Sequence, residues 1–133
     1  MNYYLPSAVL FILTIFIMYG TVQYIRYCTI EMSDWFKAVS ESEGFDWDNG
    51  NVTKNAVAHQ VSCEEAEQIF VNRPLFFIDD HKHSQKELRM KAFGQTDAGK
   101  LLTVSFTMRE QKIRVISARD MDRRERNAYE AKR

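Results

Sequence analysis

Apolar and polar residues alternate most cleanly over residues 87–119, and that alternation predicts a run of strands. From Glu87 to Phe93, Leu88, Met90 and Ala92 fall on one side, with Glu87, Arg89 and Lys91 on the other. From Leu101 to Arg109 the apolar set is Leu102, Val104, Phe106 and Met108, leaving Thr103, Ser105, Thr107 and Arg109 opposite. A tight turn at Glu110 and Gln111 would pair Met108 with Ile113 and Phe106 with Val115, which puts Arg114 beside Thr107. The strand beginning at Lys112 runs straight into a helix. Asp122 followed three residues later by Glu125 is the pattern of a capping box, so that helix should start near Arg123.

Upstream the pattern changes. Phe45 to Asp48 reads as a short strand with Asn49 and Gly50 as a turn; Val52–Gln60 and Ser62–Val71 read as short helices, the second capped by Ser62 with Glu65. Leu75–Ile78 is a further strand, and Asp79–Gln85 a polar connection carrying His81 and His83. The predicted class is α+β: an antiparallel sheet with two short helices on its N-terminal side and a helix at its C-terminal end.

The first 31 residues stand apart from this domain. No charged side chain precedes Arg26, and residues 4–25 come close to the ~20 apolar residues that cross a bilayer. Three readings stand. The segment is an apolar helix anchoring a cytoplasmic domain in the inner membrane, upstream sequence ahead of a native start at Met32, or a soluble amphipathic or core segment. The chain therefore divides into an apolar segment 1–31, a linker 32–44 and a globular domain 45–133. Cys28 and Cys63 are too few for a disulfide framework, which suits a reducing compartment.

Charge is strongly segregated although it sums to zero. Residues 41–85 carry three bases against nine acids, and residues 86–133 thirteen bases against seven acids. Such a dipolar domain can steer a polyanion to one side. A polar sheet face is often only the wet side. Here it gathers Arg89, Lys91, Arg109 and Arg114 around the single carboxylate of Glu87, with Arg119 near the helix start. Arginine clusters grip phosphate and stabilise the charge of a phosphoryl transition state. Glu87 is placed to act as a base toward a ribose 2′-hydroxyl, with an arginine or Tyr129 assisting the leaving group. The scheme needs no metal and no cofactor. His81 and His83 have half of a metal-site spacing, but no cysteine or acidic ligand lies at supporting spacing apart from the adjacent Asp79 and Asp80.

Taken together, FDWDNGNVTKNAVAHQVSCEEAEQIF, NRPLFFIDDHKHSQKELRMKAFGQTDAGKLLTVSFTMR and KIRVISARDMDRRERNAYE resemble the BrnT toxins, small RelE-like ribonucleases of bacterial type II toxin–antitoxin systems. The resemblance covers about Phe45 to Glu130, and its most specific parts are Glu87 with Arg89, the Gly94–Gly99 hairpin, Thr107 with Arg109, and IRVISAR leading into RRERNAYE. It implies a cytoplasmic endoribonuclease that arrests translation and is neutralised by a BrnA-like ribbon-helix-helix antitoxin. The expected catalytic residues are Glu87, Arg89, Arg109, Arg119 and Tyr129. Expected RNA contacts are Lys54, His59, Lys91, Arg114, Arg123 and Arg124. The family's K-H-G-V stands here as Ala58, His59, Gln60 and Val61, so an attenuated relative that only binds RNA or antitoxin is an alternative, as is a membrane-tethered interaction module.

Overall fold

The computed structural model describes residues 32–83 and 87–133. The chain divides into two units, Met1–Lys37 and Ala38–Arg133, of which the second carries the sheet. Residues 32–40 are helical and form α1. The expected apolar span over residues 4–25 lies outside the described residues; among the described residues no helix is long and apolar enough to cross a membrane.

The α+β class holds. After β1 (Phe45–Asp46) come α2 (Asn49–His59), α3 (Cys63–Val71), β2 (Phe76–Asp79), a 3-10 turn at His81–His83, β3 (Met90–Gln95), β4 (Leu101–Arg109), β5 (Lys112–Asp120) and α4 (Arg123–Lys132). The strands lie in the order β1-β5-β4-β3-β2. β1 pairs with β5 in parallel and the remaining pairs are antiparallel, so the sheet is mixed rather than wholly antiparallel.

Local chemistry explains where the helices begin. Asp48 accepts the Asn51 N–H at 2.7 Å, and this cap makes Asn49 and Gly50 the first residues of α2 instead of the expected turn. The capping boxes of α3 (Ser62 with Glu65) and α4 (Asp122 with Glu125) form as their spacing predicts. β3 starts at Met90, three residues later than the alternation suggests. The Leu88 carbonyl accepts the Thr107 hydroxyl at 2.8 Å, and its side chain, expected in the core, is exposed.

Register between β4 and β5 follows the expectation at Met108–Ile113, Thr107–Arg114 and Phe106–Val115. It then shifts, pairing Ser105 with Ser117 and leaving Ile116 as an extra residue. A bulge of this kind moves every following side chain to the other face of the sheet. Arg119 thereby lies opposite Thr103, on the same face as Arg114. Without the bulge it would have entered the core.

The core fills the other face. Phe106, fully buried, meets Phe70 edge-on with ring centroids 5.1 Å apart and Phe77 at 5.5 Å. α3 presses directly on β3 at Gly94, where a Cβ would stand 2.8 Å from that of Ile69. α2 instead docks along β5. Its Asn51 Nδ2 donates to the Val115 carbonyl at 3.1 Å, and the buried Asn55 Oδ1 accepts the Ala118 N–H at 3.1 Å. These amides satisfy backbone groups of β5 beyond its two-residue pairing with β1.

Candidate active site

The polar face of the sheet has two ends with different chemistry. Thr103 and Thr107 mark them, four residues or roughly 13 Å apart along β4. At the Thr103 end, α4 covers the sheet. Phe93, Met121 and Tyr129 form a small apolar cluster there with Phe76 and Leu101, and the Tyr129 ring meets Phe76 edge-on. The buried Tyr129 hydroxyl donates to the Pro74 carbonyl at 2.7 Å, and burial pushes its pKa up.

Arg119 is also engaged at this end. Its Nη1 and Nη2 donate to Oε2 and Oε1 of Glu125, each at 2.8 Å, in a bidentate fork. That hydrogen bonding raises the guanidinium's pKa. Glu125 further accepts the Thr103 hydroxyl at 3.0 Å and the Asp122 N–H at 2.9 Å. Burial alone would push the Glu125 carboxyl up, but these donors and the Arg119 charge outweigh it and hold its pKa at about 2. The residue that caps α4 thus also ties the helix to β4 and β5.

A pH dependence follows. Glu125 titrates lower in the folded than in the unfolded chain, so its contribution is complete above its ordinary value of 4.5 and disappears as pH falls toward about 2. With solvent screening discounted, the Glu125→Gln variant should be less stable by about 1–2 kcal/mol at neutral pH. Denaturant unfolding curves for the two proteins should converge between pH 4.5 and about 2. A difference that stays constant across that window would contradict the assignment.

The Thr107 end is built differently. Arg114, opposite Thr107, pairs with Asp48 at 2.8 Å and Asp46 at 3.5 Å, which commits it to β1 and the start of α2. Lys91 sits opposite Ser105, which in turn faces Ser117, giving a cation and two hydroxyls across three strands. Its Nζ lies 3.8 Å from Oδ1 of Asp80, a carboxylate only 7% exposed. His83 Nδ1 is 3.0 Å from both Asp80 oxygens. The Asp80 N–H donates to the Arg89 carbonyl at 2.9 Å, which carries the β2–β3 ladder one step beyond Asp79 and Met90. Arg89 is half-buried and Glu87 exposed just before this step, and Arg109 is exposed at the end of β4.

The structure therefore brings Glu87, Arg89 and Lys91 to one end and leaves Arg119 and Tyr129 at the other. Lys54, Arg123 and Arg124 are exposed on their helices, and His59 is half-buried in the last turn of α2. Sequence reasoning passed over Asp80 and His83. Their spacing of three residues before a strand was the available signal, whereas the sequence reading paired His83 with His81, as half of a metal site.

A model of the family described as the ribonuclease toxin BrnT of type II toxin–antitoxin systems matches residues 47–125. The chain belongs to the BrnT family. No curated protein matches it. The BrnT match takes in α2 through the first turn of α4, including Asp80, His83 and every residue of the Thr107 end except Asp46 of β1. Tyr129 lies beyond it. Gln60 has φ 53° at the C-terminal cap of α2, a left-handed conformation that glycine would adopt without penalty.

Proposed function

We propose that this BrnT-family chain is a metal-independent endoribonuclease toxin that arrests translation and is neutralised by a BrnA-like ribbon-helix-helix antitoxin. The observation that carries this reading is the grouping at the Thr107 end. Glu87 and Arg89 lead into β3, where Lys91 stands beside the hydroxyl row of Ser105 and Ser117. Glu87 takes the proton of a ribose 2′-hydroxyl, and the 2′-oxygen attacks the adjacent phosphorus. Arg89 and Arg109 stabilise the charge that builds on the phosphoryl oxygens, which is where positioned cations contribute most. Lys91 holds a flanking phosphate. The products are a 2′,3′-cyclic phosphate and a 5′-hydroxyl.

Arg119 and Tyr129 serve this site by fixing α4 on the sheet, since their polar groups already have partners. The exposed Arg123 and Arg124 extend the cationic surface for RNA along α4, and Lys54 and His59 of α2 add contacts outside the sheet. Neutralisation follows if an antitoxin covers the basic half of the domain.

The test is direct. The purified full chain, in excess EDTA, should cleave an RNA oligomer and leave cyclic-phosphate ends, and Glu87→Gln should slow cleavage by about 10²–10⁴. In cells, expression should stop protein synthesis until the antitoxin is supplied. RNA that is bound but stays intact would mark the attenuated alternative, in keeping with Ala58 and Gln60. Cleavage only with added divalent metal would overturn the scheme.

A further inference from the structure

We infer that His83 is the general acid of this cleavage, oriented by Asp80, and that it delivers a proton to the departing 5′-oxygen. The inference rests on the RNA-cleavage reading above and supplies a component it lacks. Breaking the phosphorus–oxygen bond expels an alkoxide, a poor leaving group unless a proton arrives as the bond breaks. Arginine does not release its proton in proteins. Tyr129, the other donor suggested by the sequence, spends its hydroxyl hydrogen on Pro74 and is 2% exposed.

The Thr107 end holds a better-built donor. Asp80 and His83 bracket a single 3-10 turn, closed by the His83 N–H donating to the Asp80 carbonyl at 3.0 Å. The carboxylate points inward and is 7% exposed, whereas the imidazole side chain is 52% exposed. A carboxylate can only accept, so Nδ1 carries the hydrogen in this contact and Nε2 becomes the ring atom for proton exchange. A buried carboxylate behind Nδ1 is how catalytic imidazoles are held in one tautomer and one orientation. Asp80 is itself anchored, by its N–H on the Arg89 carbonyl and by Lys91 at 3.8 Å. The imidazole is thus tied to the two residues that flank Met90 in the proposed site.

The step balances without any further reagent. The Glu87 carboxylate accepts the 2′-hydroxyl hydrogen, and the 2′-oxygen bonds to phosphorus. The bond from phosphorus to the 5′-oxygen breaks with its electron pair on that oxygen, which takes the Nε2 proton of the His83 imidazolium and leaves the neutral ring with its hydrogen on Nδ1. Exchange with water returns the proton from Glu87 to solvent and restores the one on His83. Asp80 is a positioning residue in this scheme, and touches no reacting atom.

A bare turn-closing pair would show the same hydrogen bonds, so the test must read the chemistry. The full chain and its His83→Ala variant are given two RNA oligomers, one natural and one with sulfur in place of the 5′-bridging oxygen at the cleaved linkage. A thiolate leaves without protonation. His83→Ala should therefore cleave the natural linkage about 10²–10⁴ times more slowly than the unsubstituted chain, yet cleave the sulfur linkage within a few-fold of it. His83→Gln, which retains a hydrogen-bonding group beside Asp80, should show the same contrast, and thermal melting reports that both variants fold. Asp80→Asn should reproduce the contrast in weaker form. Equal slowing on both linkages, or no slowing on the natural one, overturns the role of His83. If the unsubstituted chain cleaves neither oligomer, the RNA-cleavage reading itself fails.

Discussion

Phe106→Ala should lower the unfolding free energy by about 3–5 kcal/mol, enough to abolish a large part of the stability of an ordinary small domain. Phe106 is fully buried at the centre of β4 and joins three elements at one ring. Phe70 of α3 meets it at an interplanar angle of 88° and Phe77 of β2 at 54°. The first has edge-to-face geometry, which adds to simple burial. Neighbours cannot easily collapse into the cavity. Strands β3 and β5 are held on either side by their ladders, and the contact of Ile69 with Gly94 already brings α3 as close to the sheet as a backbone allows. Urea or guanidinium unfolding of the full chain checks the figure; a loss under about 1 kcal/mol would mean the aromatic cluster repacks.

Arg89→Ala should reduce RNA cleavage by about 10²–10³, the usual cost of removing one group that stabilises transition-state charge. Arg89→Lys separates charge from shape. Lysine retains the positive charge but loses the planar fork that fits two phosphoryl oxygens, so it should recover only part of the rate. Arg89 is half-buried, and its carbonyl supports Asp80, so melting temperatures belong beside the rates. RNA binding measured at low turnover should fall much less than cleavage. Both variants cleaving at the unsubstituted rate would remove Arg89 from the site.

Features set by local chemistry were legible in the sequence. Alternation fixed the β4–β5 register as far as Val115, and the two capping boxes announced the starts of α3 and α4. What escaped depends on contacts far along the chain. Asp48 decides that Asn-Gly opens a helix, and its second partner is Arg114, 66 residues away. The bulge at Ile116 has no signature in ISARD, yet it decides which face Arg119 occupies. Glu125 was legible as a cap, while its fork with Arg119 depended on that unseen bulge. Asp80 fell within a polar connection, residues 79–85, with nothing local to mark it as buried. Its burial comes from the extension of the β2–β3 ladder, and only burial gives His83 a fixed support.

The docking of β1 and α2 on β5 sets an order on how the domain comes into being. Phe45 and Asn55 belong to the first half of the globular part, but they find Ile113 and Ala118 only after the last strand has been made. Asp48 likewise waits for Arg114, and Thr103 waits for Glu125. Pairing across such long loops cannot precede synthesis of the later partner. A nascent chain halted before β5 therefore has β2, β3 and β4 without the flank that completes the sheet. The domain reaches its working shape only when nearly all of it has left the ribosome, so the machinery it is proposed to silence finishes making it first.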